Sequence, residues 1–165
     1  MRLATRHRLI DPGVSHMPAA PNAQFTLPDG TRKNAGDWRG QKLVIYFYPK
    51  DDTSGCTREA QDFTAMASEF TQAGTAVVGI SKDSEKSHAK FTSKYDLSVI
   101  LGSDLDGSVC EAFGVWVEKS MYGRKYMGIE RATFLISAEG AIAQEWRKVK
   151  VPGHAAAVLE AAKAL

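Results

Sequence analysis

The sequence YFYPKDDTSGCTREAQDF, residues 46–63, contains the transition on which the fold depends. It passes from an apolar, aromatic tract through a polar turn to Cys56 and then into an amphipathic segment. The tract Leu43–Tyr48 is continuously apolar and rich in β-branched and aromatic residues, which is typical of a central strand covered on both faces. Thr53 or Ser54 can cap a helix after the turn. We therefore predict a strand, a turn and a helix, with Cys56 close to the start of the helix.

Strands alternate with helices along the rest of the chain. The predicted strands, after a short extended piece at Phe25–Arg32, are Leu43–Tyr48, Ala76–Ile80, Ser98–Leu101, Ala132–Ser137 and Ala141–Trp146. Four helices are predicted. The first carries Phe63, Met66, Ala67 and Phe70 and ends at Gly74, and the second is capped by Asp83 or Ser84 and runs to Tyr95. The third runs through residues 108–114, and the fourth is rich in alanine and spans residues 153–165. The last two strands flank Glu139 and Gly140, a hairpin signal. This order predicts an α/β fold with parallel and antiparallel pairing.

Length and charge exclude several classes of protein. A chain of 165 residues most simply makes one domain. The net charge of +2 lies entirely in residues 1–17, because residues 18–165 sum to zero. The body of the protein thus has no excess charge with which to bind a polyanion, and we expect no nucleic-acid partner. No apolar run approaches the length of a membrane helix, so we expect no membrane association.

Residues 1–17 contain three arginines and lack the apolar stretch of a secretory signal. We interpret this segment as a disordered extension, as the product of a start upstream of Met17, or as residues added for expression, and we assign the domain to residues 18–165. Without an export signal we expect a cytoplasmic protein, in which stable structural disulfides are rare.

Cys56 lies at a predicted helix N-terminus, where unpaired N–H groups and the helix dipole favour a thiolate, the nucleophilic form of cysteine. Gly55 leaves space beside the sulfur, and Pro49 ends the strand and fixes the entry of the turn. The site lies at the carboxyl end of a central strand, where open α/β sheets usually bind ligands. Position alone is equally compatible with a small, inert helix residue.

The pattern Pro49-x-x-x-Thr53-x-x-Cys56 resembles the signature of the peroxiredoxins. The segments YFYPKDDTSGCTREAQDF, GISKDSEKSHAKF, LGSDLDGSVCEAFGVW, GIERATFLI and WRKVKVPGH resemble the bacterioferritin-comigratory, or PrxQ, branch in the same order, from about residue 24 to the end. The resemblance implies a thioredoxin-like fold, with a mixed central sheet flanked by helices. It also implies reduction of hydrogen peroxide and organic hydroperoxides.

The resemblance assigns a role to each residue of the motif. Cys56 is the peroxidatic cysteine, and Thr53 is the hydroxyl that bonds the sulfur and the peroxide. Arg131 places its guanidinium at the sulfur, and Pro49 shields the site. These roles suit the chemistry, because fixed donors aimed at the leaving oxygen stabilise the transition state more than the ground state. Glu59, in the first turn of the helix, is a candidate anchor for Arg131.

The sequence departs from the family at the second cysteine. Many relatives have one five residues after the first, where this chain has Gln61, and relatives usually have Pro where this chain has Ser54. The remaining thiol, Cys110, is either a resolving cysteine or, as we favour, a buried helix residue near Phe113. We therefore expect a one-cysteine cycle. The peroxide oxidises Cys56 to a sulfenic acid, and an external thiol from glutathione, glutaredoxin or thioredoxin then attacks that sulfenic acid.

No other motif indicates a cofactor or a metal. The chain has no phosphate loop, dinucleotide fingerprint or CxxC, and its four histidines do not cluster at ligand spacing. We expect His88 on a helix surface and His154 at the start of the last helix. The segment from Gly114 to Glu130 is interpreted as a glycine-broken loop. That loop is either folded on itself or an apolar rim for organic hydroperoxides or a reductant.

Two alternatives to a peroxidase share the same cysteine. A peroxide sensor would use Cys56 oxidation as a signal, although it would need less transition-state stabilisation than the set of Thr53, Arg131 and Pro49 provides. A thioredoxin-type disulfide reductase is disfavoured by the missing CxxC. The resemblance favours a monomer.

Overall fold

Nine strands and five α-helices make up residues 17–165, the part of the chain that this computed structural model describes. The strands are β1 (Phe25–Thr26), β2 (Arg32–Lys33), β3 (Lys42–Phe47), β4 (Thr75–Ser81), β5 (Ile100–Ser103), β6 (Trp116–Met121), β7 (Arg124–Ile129), β8 (Ala132–Ile136) and β9 (Ile142–Trp146). The helices are α1 (Ser54–Ala65), α2 (Ala67–Gln72), α3 (Glu85–Tyr95), α4 (Ser108–Ala112) and α5 (His154–Ala164), with a 3₁₀ helix at Ala35–Trp38. The predicted extension at residues 1–17 lies outside the described residues except for Met17. None of the helices between Met17 and Leu165 has the length and apolar character needed to cross a bilayer.

Seven strands form the central sheet, in the order β2-β1-β5-β4-β3-β8-β9. Strand β4 pairs in parallel with both β3 and β5, whereas the other pairs are antiparallel. In the middle of the sheet, Ile45 lies opposite Val78 of β4 and Phe134 of β8. The mixed sheet and its α/β order confirm the predicted fold class.

The core lies in two clusters, one on each face of the sheet. Alternate residues of β3 point to opposite faces, so Val44 and Tyr46 enter one cluster while Ile45 and Phe47 enter the other. The Cys56-side cluster contains buried residues of α1, α2, α3 and α5: Cys56, Ala60, Phe63, Phe70, Phe91, Ala155, Val158, Leu159 and Ala162. The Cys110-side cluster contains Ala35, Val109, Cys110, Phe113, Val115 and Ile129. Helices thus cover both faces, as the continuously apolar strand β3 predicts.

Several predicted elements are confirmed with shifted ends. The hairpin of β8 and β9 forms, and α3 begins after Ser84, whose hydroxyl accepts the Ser87 N–H at 3.1 Å. The strand predicted at Ser98–Leu101 lies two residues later, at Ile100–Ser103. Its last residues, Gly102 and Ser103, are buried but not apolar, so the apolar run in the sequence did not mark the end of the strand.

Two predictions were wrong. The helix expected to run through to Gly74 is broken at Met66, where the N–H bonds back to the Phe63 carbonyl at 3.1 Å and ends α1. The segment from Gly114 to Glu130, which was interpreted as a loop, contains the hairpin of β6 and β7. Its turn residues, Tyr122 and Gly123, both have positive φ (53° and 79°), as type I′ turns require.

Candidate active site

Cys56 lies in the first turn of α1, directly beyond the carboxyl end of β3. Its side chain is buried, and Thr53 is the N-cap residue. The first hydrogen bond of the helix runs from the Thr57 N–H to the Thr53 carbonyl at 2.8 Å. Within residues 17–165, the N–H groups of the three preceding residues have no protein acceptor, so the positive end of the helix dipole is open towards the sulfur.

Arg131 provides the second positive group. Its Nη2 donates to the Cys56 sulfur at 3.4 Å, and its Nη1 donates to Glu59 Oε1 at 2.7 Å. The sheet explains this placement, because Ala132 pairs with Phe47, and Arg131 therefore lies at the end of β3. Gly55 permits the approach, since a Cβ at that position would lie 3.2 Å from the Arg131 Nη2. The structure thus brings Cys56, Gly55 and Arg131 together.

Glu59 is the anchor of Arg131, as suggested from the sequence. Its side chain is 1% exposed, and its Oε2 has no hydrogen-bond partner among the described residues. Burial raises the pKa of Glu59 to about 7, although the ion pair with Arg131 opposes this shift. The guanidinium is therefore held between a buried carboxyl group and the sulfur.

The Thr53 side chain does not cap α1, contrary to the prediction. Its hydroxyl donates to the Lys50 carbonyl at 2.9 Å and makes no hydrogen bond to the Cys56 sulfur in the described part of the chain. The oxygen of Thr53 therefore remains an acceptor. Pro49 is exposed on the turn between β3 and α1.

A buried polar network behind this turn was missed. His88, expected on a helix surface, is fully buried: its Nδ1 lies 2.8 Å from Asp51 Oδ2 and its Nε2 lies 3.0 Å from the Gly102 carbonyl. Asp51 also accepts from the Tyr48 hydroxyl at 2.6 Å, and its N–H donates to Asp83 at 2.9 Å. The spacing of His88 and Phe91 on one helical face was the signal that could have revealed its burial.

The same network contains a group of His and Asp side chains with ligand atoms within 4.8 Å of one another, namely Asp51, Asp83 and His88. Each of these side chains already makes hydrogen bonds to protein atoms. The network therefore ties the turn that precedes Cys56 to β4 and α3.

His154 begins α5, as predicted, and packs against Phe63 of the Cys56-side cluster. Its Nε2 is 2.7 Å from the Thr133 hydroxyl, and its ring packs edge-on against Phe63 and Trp146. Burial, together with the charge of Arg131, lowers the pKa of His154 to about 4. The imidazole of His154 is therefore neutral near pH 7 and adds no positive charge near the Arg131 guanidinium.

Cys110 lies on the opposite face of the sheet from Cys56, in α4. Both cysteines are free thiols. The buried placement near Phe113 agrees with the favoured sequence interpretation. Burial, reinforced by the Asp104 carboxylate, strongly raises the pKa of Cys110.

Comparison with known proteins agrees with this geometry. Residues 18–145 match the AhpC/TSA family. Peroxiredoxin Bcp of Xanthomonas campestris pv. campestris is 53% identical over 152 residues, which cover 87% of this chain and 92% of that protein. A putative peroxiredoxin bcp of Coxiella burnetii is 53% identical over 137 residues, 82% of this chain and 91% of that protein.

Solved structures give the same result. Peroxiredoxin Q of Xanthomonas campestris superposes with a TM-score of 0.84 at 51% identity, covering 90% of this chain and 95% of that one. A second structure, of the bacterioferritin comigratory protein of Xanthomonas campestris, has a TM-score of 0.84 at 50% identity and covers 90% and 96% of the two chains. That structure was studied for alkyl peroxide reduction activity.

Proposed function

This chain belongs to the AhpC/TSA family and is a thiol-dependent peroxidase of the peroxiredoxin class, and we propose that Cys56 is its peroxidatic residue. The substrates we propose are hydrogen peroxide and organic hydroperoxides. The observation that supports this assignment best is the Arg131 guanidinium 3.4 Å from the sulfur at an open helix N-terminus.

The proposed reaction is a displacement at oxygen. A lone pair of the Cys56 thiolate attacks one oxygen of the hydroperoxide, a sulfur–oxygen bond forms, and the oxygen–oxygen bond breaks. The electron pair of the broken bond leaves on the other oxygen, which takes a proton from water and departs as an alcohol or as water. The sulfur is oxidised to a sulfenic acid while the peroxide is reduced.

Arg131 and Thr53 have different roles in this reaction: Arg131 acts on the sulfur and the leaving oxygen, and Thr53 orients the hydroperoxide. The Arg131 fork favours the anionic sulfur and stabilises the charge that develops on the leaving oxygen. Since the Thr53 hydroxyl gives its own proton to Lys50, its oxygen can accept the O–H of the bound hydroperoxide and orient it. Pro49 fixes the turn that carries these groups and limits the access of water.

An external thiol completes the cycle in this proposal. It attacks the Cys56 sulfenic acid, releases water and forms a mixed disulfide, and a second thiol then restores the thiolate. Glutathione, glutaredoxin and thioredoxin are the candidate reductants. The separation of Cys56 and Cys110 on opposite faces of the sheet supports a one-cysteine cycle.

A reducing compartment suits this chemistry. Both thiols are free, and cytosolic glutathione and thioredoxin keep thiols reduced. We therefore propose a cytoplasmic location. We also propose a monomeric state, which rests on the family resemblance alone.

Steady-state peroxide consumption with each reductant tests the proposal. The Cys56→Ser variant should lose activity by a factor on the order of 1,000 or more, because the remaining cysteine, Cys110, is buried on the opposite face of the sheet. The Cys110→Ser variant, which is the matched control, should keep most of it. Activity that survives in the Cys56→Ser variant would contradict the assignment of the nucleophile. Turnover lost in the Cys110→Ser variant would contradict the one-cysteine cycle.

A further inference from the structure

The Lys50–Asp51 peptide lies between the Thr53 hydroxyl and a carboxylate that follows the neighbouring strand. On one side, the Lys50 carbonyl accepts a hydrogen bond from the Thr53 hydroxyl at 2.9 Å. On the other side, the Asp51 N–H donates to Asp83 Oδ2 at 2.9 Å. A trans peptide is planar and its N–H and C=O point in opposite directions, so fixing the direction of one group fixes that of the other. The Asp83 carboxylate and the Thr53 hydroxyl are thus connected through a single peptide plane.

The central sheet brings Asp83 to this peptide. Strands β3 and β4 are parallel, with Phe47 opposite Ile80, so the residues that follow both strands meet at the same edge of the sheet. Ser81, the last residue of β4, is buried, and its hydroxyl donates to Asp83 Oδ2 at 2.6 Å. The Asp83 N–H in turn donates to the Ser81 hydroxyl oxygen at 3.2 Å. The carboxylate is therefore fixed by the end of a central strand.

The turn before α1 needs an external restraint because its backbone is strained. Asp52, between Asp51 and Thr53, has a φ of 61°, a left-handed conformation that residues other than glycine adopt at a cost. The Asp52 side chain pairs with Lys94 at 2.8 Å, but these side chains are 41% and 58% exposed, and exposed ion pairs contribute little. The contact between Asp83 and the Asp51 N–H is partly buried and charge-assisted, so it is the stronger restraint on the backbone.

We propose that Asp83 is a positioning residue for the peroxidase reaction. Its carboxylate orients the Lys50–Asp51 peptide so that the carbonyl holds the Thr53 proton, and the Thr53 oxygen then remains an acceptor for the O–H of the hydroperoxide. An ionised acceptor at the N–H also polarises the peptide, which strengthens the hydrogen bond at its carbonyl. This inference rests on the proposed reaction at Cys56 and on the role proposed there for Thr53.

The test compares two reactions of the Cys56 thiolate in a Cys110→Ser reference protein, which has a single thiol. Oxidation by hydrogen peroxide uses an acceptor for the O–H of the substrate, whereas alkylation by iodoacetamide needs the thiolate but has no O–H to orient. Asp83→Ala should slow oxidation by about tenfold to 100-fold, as expected for a misplaced orienting group, and should change alkylation less than twofold. Asp83→Asn should restore most of the oxidation rate, because its amide oxygen can still accept the Asp51 N–H.

A double-mutant cycle measures whether Asp83 acts through Thr53. Thr53→Val removes the hydroxyl, and because that hydroxyl does not cap α1, the helix keeps its N-terminus. In the Thr53→Val background, Asp83→Ala should slow oxidation less than twofold, since the group that Asp83 orients is already absent. Equal factors in the two backgrounds would overturn the proposal, and so would an equal loss of oxidation and alkylation in Asp83→Ala.

Ser84→Ala is the matched control at the neighbouring residue. The Ser84 hydroxyl accepts an N–H of α3, that of Ser87 at 3.1 Å, rather than one of the turn. Its removal should lower the Tm and leave both rates within twofold of the reference protein. A Thr53→Val variant that is oxidised at the reference rate would overturn the positioning role while Cys56 remains the nucleophile. A reference protein that is alkylated but not oxidised by hydrogen peroxide would instead overturn the proposed function.

Discussion

Cys56 and Cys110 occupy equivalent positions in two helices but have neighbours of opposite charge. Each is the third residue after the N-cap, Thr53 in α1 and Gly107 in α4, and each is almost completely buried. Cys56 has the Arg131 guanidinium at its sulfur. Beside Cys110 lies the Asp104 carboxylate, one of whose oxygens accepts the Cys110 N–H at 2.8 Å.

The two helix N-termini differ in the same sense. In α4, the Asp104 carboxylate accepts the N–H groups of both Val109 and Cys110, at 3.0 and 2.8 Å. In α1, the side chain of Thr53 leaves the corresponding groups open. A bound carboxylate neutralises the positive end of the dipole and repels a thiolate. We therefore infer that helix position alone does not make a reactive cysteine, and that an open N-terminus with a neighbouring cation is also needed.

Removing the cation should produce the largest effect on this contrast. Arg131→Ala should slow the oxidation of Cys56 by about 100- to 1,000-fold, since it removes a fixed donor to sulfur and leaving oxygen. Arg131→Lys should restore only part of the rate, because an ammonium cannot span Glu59 and the sulfur as a planar fork does. Stopped-flow oxidation under single-turnover conditions measures both variants.

Arg58→Ala is the control for Arg131→Ala. Arg58 lies on α1, the helix that carries Cys56, and its side chain is 65% exposed. Among residues 17–165 it pairs only with Asp62, on the outer surface. Its removal should change the rate less than twofold. A similar rate for Arg131→Ala and the wild type would remove Arg131 from the reaction.

The anchor of Arg131 should have a smaller kinetic effect and a distinct pH signature. Glu59→Gln should slow oxidation by about tenfold, because the guanidinium loses its charged partner. Since the pKa of Glu59 is raised to about 7 from its ordinary 4.5, the folded state binds the proton more tightly than the unfolded state. The Glu59 contribution to stability is therefore present at low pH and is lost as pH rises through 7, by on the order of 3 kcal/mol.

Thermal unfolding at several pH values tests this linkage. The Tm of Glu59→Gln minus the Tm of the wild type should become more positive from pH 5 to pH 8, because only the wild type loses the Glu59 contribution as the pH rises. Glu69→Gln, which changes an exposed acid on α2, should give a constant difference. A constant difference for Glu59→Gln as well would mean that this carboxyl group titrates normally.

Removing the carboxylate at Cys110 should affect stability alone. Asp104→Asn should lower the free energy of unfolding by about 1–2 kcal/mol, since two buried N–H groups lose a charged acceptor. Asp106→Asn, which alters an exposed acceptor of the Ser108 N–H on the same helix, should have a smaller effect.

Peroxide consumption should be unchanged in both of these variants. In the Cys56→Ser background, Asp104→Asn should not create peroxidase activity, because Cys110 stays buried with no guanidinium beside it. Activity gained there would show that the carboxylate alone keeps Cys110 inert.

The elements around Cys56 could be predicted because local patterns specify them. The apolar run that forms β3 and the hairpin of β8 and β9 both have strong signals in a few adjacent residues. The hairpin of β6 and β7 was missed because most of its residues are exposed, which weakens the apolar alternation. Its turn also places Tyr122 at a left-handed φ that bulky residues rarely adopt.

The site was predictable only in part for a different reason. Cys56 and Thr53 are close in sequence, but Arg131 reaches Cys56 through the pairing of β8 with β3, and it was identified only by family resemblance. The contact of His88 with Asp51 likewise depends on how α3 docks on the sheet. Such long-range placement follows from the register of packed elements, which no local window contains.

The contrast between the two cysteines can be measured directly by mass spectrometry after one equivalent of hydrogen peroxide, with a sulfenic-acid trap present. We predict that the trap labels Cys56 alone and that Cys110 remains a thiol. Labelling of Cys110, a disulfide between the two cysteines, or two unmodified thiols would contradict the account.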